Sequence, residues 1–213
     1  MTDPKGGPTR REVAAGAAAL AFVPPLRAAA QTEPDARAAV ETLRDPILRI
    51  SREVWDAAEV SLAEERSAEI HVRELRAAGF EIEGPGVAGV PTHFVATWSQ
   101  GTGGPSIGFL PEYDALPGLG NAAEPRQTPR ADGRTDGHGC GHNALGAGCT
   151  GAGMALKAMM EASGAPGTVK VFGCASEEAH SGKTYLARDG YFEGLDAALA
   201  WHSGPAAGTG LVS

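Results

Sequence analysis

The chain has 213 residues, with 26 acidic against 18 basic side chains and a formal net charge of -8. That length suits one ordinary domain or a large part of a bigger one. The acidic balance, with no basic patch carrying interleaved aromatics, argues against a nucleic-acid partner. No run of eighteen apolar residues is present, so no membrane span is expected.

The first thirty residues stand apart in composition. Polar Met1–Thr9 leads into Arg10-Arg11, an Ala-rich apolar stretch from Val13 to Val23, Pro24-Pro25, and then Arg27-Ala28-Ala29-Ala30. This is the layout of a secretory signal, and the paired arginines resemble a twin-arginine signal, whose substrates cross folded. The expectation is a signal over 1–30, a mature chain from near Gln31, and a periplasmic or secreted location. Cys140, Cys149 and Cys174 form no C-x-x-C and are odd in number. If Cys140 is a ligand, the other two are most simply buried thiols, with a Cys149–Cys174 disulfide an open alternative.

From Pro34 to about Ala58 apolar residues recur at helical spacing, with Pro46 predicting a kink or break inside the run. A second helix pattern covers about Ala63 to Ala78, where Glu64, Glu65 and Glu69 read as a solvated face and His71 as structural. Strand-like runs follow at Phe80–Ile82, Thr92–Trp98 and Ser106–Leu110, the last two joined by a hairpin-type turn at Gly101–Pro105. A loop rich in Pro, Gly, Asp and Arg runs from Pro111 to Gly137. Loops of that length inside a domain are ordinarily functional or mobile.

A helix pattern from about Asn143 to Glu161 carries Gly146, Gly148, Gly151 and Gly153, each costing roughly 1 kcal/mol against alanine. Close packing on a sheet would offset that cost, so this helix is expected to be buried. Next come a Val- and Phe-rich strand at Thr168–Cys174, a short helix around Lys183–Asp189 and a strand at Ala197–His202. Strands alternating with helices predict an α/β fold with a mostly parallel sheet flanked by helices.

Four chemical features share one geometry in this reading. Glu112 and Asp114 follow the strand ending at Leu110, and Cys140 and His142 precede the glycine-rich helix. Glu177 and Glu178 follow the strand ending at Cys174, and His202 ends the last strand. Ligands of open α/β sheets collect outside the carboxyl ends of strands. A thiolate and an imidazole two residues apart suit a borderline-soft divalent metal. A carboxylate pair directly after an apolar strand is out of place unless it is used. Off an extended segment the two would point in opposite directions, one to metal and one to water. A cysteine hydrolase built on Cys140 and His142 is disfavoured, because residues two apart rarely reach nucleophile–base geometry.

The motifs P-E-Y-D-A-L-P-G, G-H-G-C-G-H-N, A-S-E-E with the following S-G-K, and A-W-H, in that order, resemble the metal-dependent aminoacylase and carboxypeptidase-like amidohydrolases, in the aminobenzoyl-glutamate hydrolase branch. The resemblance runs from about Ile50 to the last residue. It implies a zinc-peptidase-like catalytic domain with two divalent metal ions, Zn or Mn. Cys140, His142, Glu178 and His202 match its metal ligands, Glu177 its general base and Asp114 the aspartate that supports the metal site. His138 matches a position that is not a ligand. Glu112 stands where the wider family has a ligand histidine. The implied reaction is hydrolysis of a small-molecule amide, an N-acyl or aminobenzoyl amino acid, by a homo- or hetero-oligomer. Family members continue with a lid domain and a further ligand histidine. Residues 31–213 are therefore expected to be an N-terminal half, and the competing reading is a truncated, non-catalytic metal-binding remnant.

Overall fold

In the computed structural model residues 35–204 are described; the export-signal reading at Arg10-Arg11 lies outside them. The chain enters through two short-linked helices, α1 (Ala36–Thr42) and α2 (Arg44–Ala57), followed by α3 (Glu65–Ala77). The break between α1 and α2 falls at Leu43 rather than at Pro46. Proline lacks an N–H and its ring clashes with the carbonyl four residues back, so a helix holding Pro46 must begin within the preceding turn. Pro46 therefore sits harmlessly in the first turn of α2.

Five strands follow: β1 (Glu81–Glu83), β2 (Phe94–Gln100), β3 (Ser106–Phe109), β4 (Gly167–Gly173) and β5 (Ala197–Leu199). They form one sheet in the order β1-β2-β4-β3-β5. β3, β4 and β5 run parallel, while β2 pairs antiparallel with both β1 and β4. Four of the five strands thus share a direction and β2 alone is reversed. The α/β class and the mostly parallel sheet hold. The hairpin between β2 and β3 does not, because β4 lies between them. The Gly101–Pro105 turn instead wraps over the start of β4, with Thr168 N–H donating to the Pro105 carbonyl at 2.9 Å. A Cβ on Gly104 would overlap the Pro166 carbonyl.

Side-chain alternation on the central strands divides two apolar layers. One face of the sheet takes Phe94, Ala96, Val169 and Val171 and packs against Ile50 and Val54 of α2, Leu75 of α3, and Ala147 and Met154 of α4 (His142–Ser163). The other face takes Val95, Phe172 and Cys174 and packs against Leu186 of α6 (Lys183–Arg188). In α2, Ile47, Ile50, Val54 and Ala57 recur every three or four residues, the spacing of a helix with one buried stripe. Full burial of a side chain such as Ile50 contributes about 1.5–3 kcal/mol.

The glycines of α4 are contact points. A Cβ on Gly153 would press on Val171 at 2.6 Å, one on Gly151 would overlap Ile47, and one on Gly146 would overlap the Glu112 carbonyl oxygen. That last contact brings the helix directly onto the loop that follows β3. The long loop is held at Arg130, whose side chain is 5% exposed. Its guanidinium donates to the Trp55 and Asp56 carbonyls at 3.1 Å each and to Asp132 at 2.6 Å, and lies 4.3 Å over the Trp55 ring. Cys149 and Cys174 are buried free thiols. No helix among the described residues is long and apolar enough to cross a membrane.

Candidate metal centre

The three parallel strands β3, β4 and β5 end on the same side of the sheet, and the chemical residues leave from those ends. Glu112 bridges to Cys174 just beyond β3 and β4. Glu177 opens the short helix α5 (Glu177–His180) after β4, and His202 follows β5. Cys140 and His142 flank Gly141, whose left-handed backbone (φ 83°) caps α4. Glycine takes that conformation without the Cβ penalty, so the chain can turn a thiol and an imidazole toward one point.

Ligand atoms of Cys140, His142 and His202 lie within 4.8 Å of one another, and so do those of Glu112, His142 and Glu177. His142 belongs to both groups and is the hinge of the site. Its ring is fully buried. Its Nδ1 lies 2.9 Å from Asp114 Oδ1, and in the tautomer that donates there Nε2 turns its lone pair inward. Around Nε2 stand Glu112 Oε2 at 3.2 Å, Glu178 Oε1 at 3.8 Å and Glu177 Oε2 at 4.0 Å. Despite this crowding, both His142 Nε2 and Glu112 Oε2 are buried without a hydrogen-bond partner. Buried polar atoms are seldom left so.

Asp114 does not face this space. Its Oδ2 accepts from the Ser61 hydroxyl at 2.8 Å and from the Glu178 N–H at 3.0 Å. Burial opposes its charge, but the His142, Glu178 and Ser61 bonds outweigh that and hold its pKa below the ordinary value. Burial likewise opposes the His142 cation. Asp114, then Glu112 and Glu178, overcome it and raise the imidazole's pKa. His202 turns its Nδ1–H onto the Ser203 carbonyl at 2.8 Å and brings Nε2 to 3.2 Å from the Cys140 sulfur. Each histidine therefore has one nitrogen oriented by a partner and the other presented to the centre, the arrangement of metal-ligating imidazoles.

The Cys140 thiol is pushed up to about 11 by burial, then by the Glu178 carboxylate and the charges of Glu177 and Glu112. The two groups share His142, and with Glu178 beside it the cluster offers three carboxylates, a thiol and two imidazoles. This donor set fits a divalent metal. His138 stays outside it, donating Nε2–H to the Val54 carbonyl at 3.0 Å, with its pKa lowered to about 4 chiefly by burial.

Two features of the site went unread in the sequence. Lys183 pairs with Glu112 Oε1, and Glu112 itself aims its other oxygen at His142. The S-G-K motif carried this signal without revealing its partner 71 residues away. Glu177 and Glu178 also do not leave an extended segment. They occupy the first turn of α5, so they diverge by about 100° around a helix rather than alternating across a strand.

Residues 109–212 match the family model described as Peptidase family M20/M25/M40. The chain is 41% identical over 164 residues to one of the subunits of the p-aminobenzoyl-glutamate hydrolase of Escherichia coli, a match covering 77% of this chain and 34% of that protein. Residues 109–212 are an M20 peptidase-family domain. The chain is also 33% identical over 196 residues to the mouse Xaa-Arg dipeptidase, covering 84% of this chain and 40% of the relative. It thus spans little more than a third of the length of these curated relatives. Among solved structures, the M20 fold is shared with a Bacillus subtilis protein described as a dinuclear metal binding peptidase from this family. That match has TM-score 0.61 and 22% identity, over 76% of this chain and 44% of that one. An aminobenzoyl-glutamate utilization protein from Klebsiella pneumoniae matches with TM-score 0.57 and 19% identity, over 79% and 46% of the two chains.

Proposed function

We propose that this chain carries the metal centre of a hydrolase acting on the amide bond of N-acyl or aminobenzoyl amino acids. The observation behind the reading is the pair of buried, unpartnered atoms, His142 Nε2 and Glu112 Oε2, converging 3.2 Å apart. The substrate class draws support from the 41% identity to the Escherichia coli aminobenzoyl-glutamate hydrolase. That relative is named as one subunit of its enzyme, which favours a second, different chain beside this one as well.

Cys140, His142, Glu178 and His202 would hold the metal, as two divalent ions, with Glu112 within reach of the same centre. Thiolate and imidazole donors favour zinc, while the carboxylates also accept manganese. Bound there, the ions supply Lewis-acid chemistry that polarises a carbonyl and makes water a better nucleophile.

The chain's own residues do the rest. Glu177 accepts a proton from the attacking water on its carboxylate and returns it to the departing amine nitrogen. Asp114 acts through His142, fixing the tautomer that keeps Nε2 free. Lys183 anchors Glu112 so that only one of its oxygens faces the centre. We also propose export through the Arg10-Arg11 signal.

The test is turnover of p-aminobenzoyl-glutamate and of N-acetyl amino acids by the chain loaded with Zn²⁺ or Mn²⁺, with and without a chelator. Metal-dependent release of the amino acid supports the reading. Metal uptake without turnover supports the alternative, a non-catalytic metal-binding remnant. A chain that takes up no metal contradicts both.

A further inference from the structure

One buried carboxylate remains without a role in that chemistry. Glu64, just ahead of α3, is 0% exposed, although its neighbours Glu65 and Glu69 face solvent as their sequence predicts. No cation among the described residues neutralises it. Its Oε2 accepts from the Thr92 hydroxyl at 2.9 Å, and its Oε1 accepts from the Ser176 N–H at 2.7 Å, 112 residues away. Burial raises the pKa of Glu64, and the hydrogen bonds from its own N–H, Thr92 and Ser176 oppose that shift and favour the carboxylate.

Ser176 is a non-glycine residue in the left-handed region (φ 55°, ψ 44°), and it stands immediately before Glu177 and Glu178. L-residues avoid that conformation, and it persists only where surrounding contacts impose it. Ser176 also has a 2.7 Å hydrogen bond between its hydroxyl and His180 Nδ1, and its carbonyl accepts from the His180 and Gly182 N–H groups. Those bonds all lie within the turn itself. Glu64 ties the Ser176 N–H to the residue that opens α3, 112 residues away in sequence.

We propose that Glu64 is a positioning residue: it holds the Ser176 backbone in its left-handed turn and so aims Glu177 and Glu178 at the metal centre. The inference rests on the hydrolase reading above and assigns that site a support outside its ligand set. The bond runs from α3 to the β4–α5 corner, so it fixes the corner in position as well as in conformation. The Glu178 N–H bond to Asp114 then completes the alignment from the opposite end of the pair.

The experiment titrates Co²⁺ into the full chain, read by thiolate-to-cobalt absorption at Cys140, with the folded fraction checked by circular dichroism. Five proteins are compared: wild type, Glu64→Gln, Glu64→Leu, Glu64→Asp and Thr92→Val. Glu64→Gln keeps an oxygen for Ser176 and an amide for Thr92, so its affinity should stay within about 3-fold of wild type. Glu64→Leu removes the acceptor and Glu64→Asp withdraws it by one methylene. Both should weaken cobalt binding by about 10- to 100-fold, the scale of losing a residue that orients ligands. Thr92→Val loosens the same buried network without touching Ser176 and should bind as wild type does. Should Glu64→Leu fail to fold, Glu64→Asp decides alone. Wild-type affinity in the folded Leu or Asp variant overturns the inference, as does a loss in Thr92→Val equal to theirs. Wild type that binds no cobalt overturns the hydrolase reading and this inference together.

Discussion

His142 Nδ1 and Asp114 Oδ1 lie 2.9 Å apart, both fully buried, and that contact fixes which nitrogen of His142 faces the centre. The imidazole donates outward to a carboxylate and keeps its lone pair inward. Replacing Asp114 with alanine frees the ring to flip and also removes the acceptor of the Glu178 N–H. Metal affinity, measured by competition with a chelator, should fall about 10- to 100-fold. Unchanged affinity would show that Asp114 has no part in orienting His142.

Lys183 and Glu112 form a part-buried pair, with the lysine side chain 28% and the glutamate side chain 9% exposed. Lys183→Met leaves the carboxylate inside without its partner. Urea unfolding of the metal-free chain should show a loss of about 1.5–3 kcal/mol, the range for hydrogen bonds to charged groups. Adding Glu112→Gln should recover part of that loss, because the two changes share one interaction. A double variant as destabilised as the sum of the two singles would contradict the pairing.

His71 gives the fold an acid-labile point. It is fully buried, with Nδ1 2.8 Å from the Thr150 hydroxyl, and burial lowers its pKa to about 3 from an ordinary 6.5. The folded state therefore binds a proton here less readily than the unfolded state does. This contribution to stability is complete above pH 6.5 and is lost as pH falls from there toward 3, by at most about 1.4 kcal/mol per pH unit. His71→Leu should flatten the fall in melting temperature between pH 6.5 and 4. An equally steep fall in the variant would exclude His71 as a source.

Two glycines of α4 should respond in opposite senses. A Cβ on Gly146 would overlap the Glu112 carbonyl, whereas one on exposed Gly148 meets nothing within 4 Å. Gly146→Ala should cost about 1–3 kcal/mol through overpacking and displace the Glu112 loop. Gly148→Ala should stabilise by about 0.5–1 kcal/mol through helix propensity. Equal effects from thermal melts would contradict the packing described for α4.

Local pattern carried much of this molecule. Helical periodicity marked α2, α3 and α4, and the burial of α4 followed from its otherwise costly glycines. The residues that gather at the centre were readable because each sits where an element ends, next to glycine or an apolar strand. What escaped was long-range. The Gly101–Pro105 turn looks like a hairpin locally, and only the later strand β4 shows that another partner occupies that edge. Glu64 looks solvated beside Glu65 and Glu69, since the Ser176 N–H that draws it inward is remote in sequence. Glu112 and Lys183 were visible singly but not as a pair. Pro46 signalled a helix break, yet the steric clash acts one turn upstream and moved it to Leu43.

The most direct test of the account is metal content and amide turnover measured side by side on Glu177→Gln and Glu178→Gln. The two glutamates are adjacent and chemically identical, and lie at 4.0 and 3.8 Å from His142 Nε2, so only their surroundings divide their roles. Measured in an active, metal-loaded form of the enzyme, Glu177→Gln should keep its metal and lose rate by about 10²- to 10⁴-fold, the scale of positioned acid–base help. Glu178→Gln should lose metal and activity together. Metal lost from Glu177→Gln but retained in Glu178→Gln would show the two roles to be reversed, and full activity in both would contradict the centre itself.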